Sequence, residues 1–181
     1  MIKNVLIKIL IFVTLASAGE ISVAISESLV NDYLKSIGDH QISIGNSKNQ
    51  SLWSINDARV KFLEGSAEFY ANVIFQKEKT RIKKNINKNM YVEYNYDKNI
   101  IQLMIEDPIV KMERKEGIVG KFDLNTIYQK EGLKFQGPKP KVKTIKLKTI
   151  KGRIKIDMNI KRSLIYFEPG VVRVAIDLDY N

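Results

Sequence analysis

Few side chains in this chain could do chemistry. His40 is the single histidine, it stands beside Asp39, and there is no cysteine among the 181 residues. A Ser-His-Asp arrangement needs its members close in space rather than in sequence, so His40 and Asp39 are its candidates. No serine sits in the G-x-S-x-G turn that presents a nucleophile at a strand end, so a surface or loop position is the expectation for His40. One imidazole and no thiolate make no ligand cluster for zinc, copper, haem or iron–sulfur, which leaves only an all-oxygen metal site. Two carboxylate pairs, Glu106-Asp107 and Asp177/Asp179, are of the type that acid–base catalysis or calcium would use. Adjacent strand residues point to opposite faces, so Glu106 and Asp107 diverge; Asp177 and Asp179 share a face but lack a ligand-dense loop. The glycines spell neither a dinucleotide fingerprint nor a phosphate loop. The expectation is a non-enzymatic protein with no cofactor, no metal and no catalytic residue.

The first eighteen residues carry an address. Lys3 and Lys8 precede an apolar run from Ile9 to Leu15, and Ala16-Ser17-Ala18 comes after it. That is the pattern of a secretory signal cleaved before Gly19. An uncleaved anchor would need about 20 apolar residues, and Lys8 cuts this run off from the apolar residues before it. The expected organisation is therefore a signal peptide over 1–18 and one domain over 19–181, periplasmic or secreted. Removing Lys3 and Lys8 lowers the formal net charge only from +10 to +8. Without cysteine, neither disulfides nor a lipid-modified anchor can hold the exported chain, so stability must come from packing.

Hydrophobic period predicts the elements that would position a site. Ser26 reads as an N-cap and Gly38 as the residue that ends a helix; between them Leu29, Val30, Tyr33, Leu34 and Ile37 form one apolar stripe. The period then changes to two. Leu52, Ala58, Val60 and Phe62 lead to a turn at Glu64-Gly65, and Ala67, Phe69, Ala71, Val73 and Phe75 continue as a hairpin with one buried face. Ile82, Ile86, Met90, Val92, Tyr94 and Tyr96 form a second strand pattern, turned at 96–99, and Pro108 interrupts the returning strand. Asp123 to Gly132 predicts a short helix of about two turns. Val172, Val174, Ile176, Leu178 and Tyr180 share a face of the last strand, after a turn at Glu168-Pro169-Gly170. Together these predict an α+β fold, a long, curved antiparallel sheet wrapped on an N-terminal amphipathic helix, with a second short helix late in the chain.

Three segments, "ISVAISESLVNDYLKSIG", "SLWSINDARVKFLEGSAEFYANVIF" and "LIYFEPGVVRVAIDL", resemble small bacterial periplasmic proteins with a tubular lipid-binding (TULIP-like) fold, among them enterobacterial lipoproteins of unassigned function. The chain departs from those lipoproteins in having no lipobox cysteine, and from the family pattern in having strand character at 141–164 where a longer helix is usual. The resemblance implies a fold that encloses a lipid or other apolar small molecule between helix and curved sheet, and it transfers no catalytic residue. On that expectation the ligand-lining candidates are Leu29, Tyr33, Phe62, Phe69, Val73, Val92 and Tyr94, in keeping with the apolar walls such pockets have.

The stretch "KPKVKTIKLKTIKGRIKI" (139–156) is the most basic part of the chain. Ile154, Ile156, Met158 and Ile160 hold one parity against Arg153, Lys155, Asp157, Asn159 and Lys161, whereas Ile145 and Leu147 fall out of phase with Val142. A bulge or bend, or two strands meeting at Gly152, would reconcile them. Lysines on such a sheet give a solvated face and guard an edge. As a contact they would take an anionic membrane, lipopolysaccharide or an acidic partner, with Lys141, Lys143, Lys146 and Lys148 as the candidate residues. An exported chain with no recognition-helix or OB-like pattern is poorly placed to meet nucleic acid. Trp53, Tyr70, Tyr91, Tyr94, Tyr96 and Tyr166 could stack on sugars or bases, but aromatic residues also simply favour strands.

Overall fold

A computed structural model describes residues 21–46, 49–128, 133–140, 143–150 and 152–181. Strand β1 (Ile21–Ser26) runs into helix α1 (Glu27–Ile37), and then come β2 (His40–Ile44), β3 (Ser51–Leu63), β4 (Ser66–Lys77), β5 (Thr80–Asn95) and β6 (Ile100–Ile105). A small hairpin of β7 (Ile109–Arg114) and β8 (Gly117–Asp123) comes next, then the one-turn helix α2 (Asn125–Tyr128) and β9 (Lys134–Gln136). The chain closes with β10 (Thr144–Thr149), β11 (Gly152–Glu168) and β12 (Val171–Tyr180).

The α+β expectation is overturned: the chain is mostly β, two curled antiparallel sheets with two short helices, and no sheet wraps on the N-terminal helix. One sheet has the order β1-β12-β11-β10, the other β2-β3-β4-β5-β6-β9, and β7-β8 forms a separate pair. The core lies between these layers, where Phe62, Phe69 and Phe75 of the six-stranded sheet share one buried cluster with Val172 and Val174 of β12. Trp53 packs on Phe75 and Phe122, with ring centroids 4.9 and 5.4 Å apart. Gly120 of β8 lies against these rings: a Cβ there would come within 2.8 Å of Phe75 and 2.9 Å of Trp53.

The physical reason for the correction lies in what α1 does. Its ends are as expected: Ser26 Oγ accepts the Leu29 N–H, and the Gly38 N–H bonds Leu34 O at a φ of 75°. Its apolar stripe is narrow, with Val30 and Leu34 buried while Leu29 stays half exposed. β2 pairs only with residues 51–55 of β3, so the rest of β3 has an open edge. α1 caps that edge with polar side chains. Val60 N–H donates to Asn31 Oδ1 at 2.7 Å, Asn31 Nδ2 donates to Val60 O at 3.0 Å, and Phe62 N–H donates to Glu27 Oε2 at 2.8 Å. An unpaired strand edge invites association with another chain, and this helix removes it.

β3 also departs from a single parity. Its register with β4 shifts between Asn56 and Arg59, with Asp57 at a φ of 55°. The extra residue flips the strand, so that Trp53 and Ile55 are buried before it and Val60 and Phe62 after it. At the far end of this hairpin the two sheets are stitched together: Gly65 N–H donates to Phe167 O, and Gly170 N–H to Phe62 O.

The blurred phase of the basic stretch resolves as a hairpin. Thr149 pairs with Gly152, which has a φ of 129°, and the reversal sets Ile145 opposite Ile156 and Leu147 opposite Ile154. A bulge lies further along, between Ile160 and Arg162. The expected late helix reaches Tyr128; its residues 129–132 lie outside the described part.

Candidate functional site

Along β11 the apolar residues Ile154, Ile156, Met158 and Ile160 share a parity, so their side chains lie on one face. This strip runs from the solvent-exposed end of the β10–β11 hairpin into the seam between the two sheets. There it becomes the floor of a groove of about 370 Å³, with Met158, Ile160, Leu178, Tyr96 and Pro140 contributing apolar surface. Lys139, Lys143, Lys161 and Arg162 stand around it.

Each wall has a structural cause. The segment through Lys139 is tied to the β5–β6 turn: Lys139 N–H donates to Asn99 Oδ1 at 3.0 Å, and Lys139 Nζ to Tyr96 O at 2.9 Å. Tyr94 OH donates to the same Asn99 oxygen, and Gly137 permits the approach, since a Cβ there would fall 2.3 Å from the Tyr94 ring. On the other wall Met158 N–H donates to Lys143 O at 2.8 Å, so the ammonium-bearing residue is anchored through its backbone. The β11 bulge leaves Lys161 without a partner in the ladder to β12 and brings it beside Arg162.

The charges are not equivalent. Lys139 is committed to a carbonyl, and the Arg162 guanidinium hydrogen-bonds the Asp177 carboxylate. Lys143 and Lys161 are exposed and form no ion pair among the described residues. An apolar floor with two uncommitted ammonium groups at its rim can accept a molecule with an apolar body and an anionic end. Two other grooves differ. One of about 430 Å³, between α1 and β3, mixes Lys35 and Arg59 with Asp39 and Asp57; one of about 320 Å³ on the outer sheet surface is lined largely by asparagines and lysines.

The seven expected ligand-liners are dispersed. Phe62, Phe69 and Val73 are fully buried in the core, Val92 and Tyr94 pack against it part-buried, and Leu29 and Tyr33 are on the outer side of α1. None of the seven borders the groove beside α1 or the groove with the cationic rim. Of the four lysines, Lys141 lies outside the described residues, Lys143 lines the groove, and Lys146 and Lys148 project from the β10–β11 hairpin beside Lys155 and Arg153. Met158, Ile160, Lys161, Arg162 and Leu178 were not foreseen as site residues, and Tyr96 was expected only as one of several aromatics able to stack. The alternation of β11 was visible in the sequence, but the end of that strip nearest the core could not be located without knowing which strands face it.

His40 is not the surface or loop residue expected from the sequence, since it opens β2 with its Nε2 buried. His40 Nε2 and Tyr128 Oη are buried without a hydrogen bond among the described residues, and their rings meet edge-on at 6.2 Å. Burial, and then the nearby Asp39 charge, push the Tyr128 hydroxyl up to about 12. Asp107 pairs with Lys88 at 2.9 Å, which holds its carboxyl below the usual range. Among the described residues no group of three histidine or acidic side chains is placed to hold a metal ion, and no helix is long and apolar enough to cross a membrane. No protein-family model, curated protein or solved structure matches the chain.

Proposed function

We propose that the protein is an exported, non-catalytic binding protein for a single-chain amphiphilic anion, held in the groove where β11 and β12 meet the β5–β6 turn. The observation that carries this reading is the groove itself, with its apolar floor of Met158, Ile160 and Leu178 and its rim of Lys143 and Lys161. Its volume lies at the lower end of the range for small-molecule sites, which favours one chain over two. The leader pattern of residues 1–18 supports export. The site is distinct from the space between helix and sheet, where the capping contacts of Asn31 and Glu27 hold α1 directly on β3.

Calorimetric titration with palmitate tests it. The reading predicts one site per chain, about tenfold or more weaker in Lys143→Glu/Lys161→Glu, and weaker for hexadecanol, which has the chain without the charge. No uptake of palmitate, or equal affinity for the alcohol, contradicts it.

A further inference from the structure

We infer that the outer half of the β10–β11 hairpin is an arm that docks on an anionic bilayer. It needs no ligand in the groove and is built from other residues. Cross-strand pairing puts Ile145, Leu147, Ile154 and Ile156 on one face. Leu147 and Ile154 are 46% and 48% exposed, and Ile150 at the tip is fully exposed. The opposite face pairs Lys146 with Lys155 and Lys148 with Arg153. Between Lys139 and Ile156 the sequence holds eight cations and no acid.

Both faces are costly for the isolated chain. Like charges directly across a ladder repel, and a contiguous apolar face in water marks an interaction surface. The acids that face the arm stand at its root: Asp157 bonds Thr144 and Lys155, and Asp177 bonds Arg162. Lys146, Lys148 and Arg153, which form no ion pair among the described residues, are left to an external partner. A bare polyanion would neutralise them and leave the isoleucines in water; an apolar partner would cover the isoleucines and leave the lysines opposed. A bilayer with acidic head groups relieves both, since aliphatic side chains enter the acyl boundary while long cationic stems reach back to the phosphates. Near such a surface each cation strengthens binding by about fivefold.

Because the chain has no cysteine, Ile150→Cys accepts a single environment-sensitive fluorophore at the tip, so the signal reports this arm and not the N-terminal segment. With vesicles of mixed phosphatidylglycerol and phosphatidylcholine, emission is expected to shift to the blue, and added salt should reverse the shift. Lys146→Glu/Lys148→Glu should weaken the response by about tenfold or more, and Leu147→Asn/Ile154→Asn should abolish the shift. Both double variants should still bind palmitate, which separates this inference from the groove. It is overturned if the label does not respond to anionic vesicles, responds equally to phosphatidylcholine alone, or responds unchanged in both double variants. Tighter binding to poly-glutamate than to the vesicles would also overturn it and assign the arm to an acidic protein.

Discussion

The β3–β4 and β10–β11 hairpins are written in the same alternating pattern and meet opposite fates. In the first, Phe62 and Phe69 are 1% and 0% exposed, the tip is bonded to the neighbouring sheet through Gly65, and the free edge of β3 is capped by Asn31 and Glu27. In the second, the aliphatic face stands in solvent and β10 carries only lysines, threonines, Ile145 and Leu147. Residue volume and charge explain the divergence. Large aromatic side chains bury enough area to draw a second layer onto them, whereas the four aliphatic side chains on one face of the β10–β11 ladder, with cations on its other face, offer less area.

The largest test of that contrast is truncation. Phe69→Ala should cost about 3–5 kcal/mol of stability by opening a cavity in the core, while Leu147→Ala should stay within about 0.5 kcal/mol. Chemical denaturation of the two variants measures both. Next is Gly120→Ala, whose added methyl must displace the Phe75 and Trp53 rings; about 1–3 kcal/mol should be lost, with a change in tryptophan fluorescence. Asn31→Ala leaves the Val60 N–H and C=O of the β3 edge unpaired and should cost a similar or smaller amount, about 1–3 kcal/mol, together with faster amide exchange at Val60.

The smallest effects are electrostatic. Tyr128 keeps its proton in the folded state up to about 12, against an ordinary value of 10.0. The folded state therefore binds more protons than the unfolded one across that interval, and stability should fall as pH rises through it. At the root of the arm, Lys155 and Thr144 hold Asp157 below its ordinary 3.8. That contribution is present above 3.8 and should be lost only as pH falls below it, as a slight acid-side loosening of the β10–β11 ladder that Asp157→Asn removes.

Individual elements could be read in the sequence where local rules operate. The ends of α1 are dictated by Ser26 and Gly38, and the buried faces of β4 and β12 by simple alternation. The balance of helix and sheet could not be read, because an amphipathic stripe does not say whether a helix is a core layer or an edge cap. Asn31 and Glu27 look like solvent-facing residues until the unpaired stretch of β3 is seen. Trp53 and Ile55 were hidden by the bulge at Asp57, which changes the buried parity within one strand. Ile145 and Leu147 appeared out of phase because a hairpin reverses the count across Gly152. Of the site, the cationic stretch and the apolar strip of β11 were visible, but their convergence with Tyr96 and Leu178 depends on contacts between strands far apart in sequence.

Hydrogen–deuterium exchange of the whole chain, with and without anionic vesicles, tests the central contrast most directly. The account predicts that β3 and β4 exchange slowly under both conditions, while residues 144–149 and 152–157 exchange fast alone and are protected by vesicles. Slow exchange of the β10–β11 arm without vesicles, or fast exchange that vesicles leave unchanged, would contradict it.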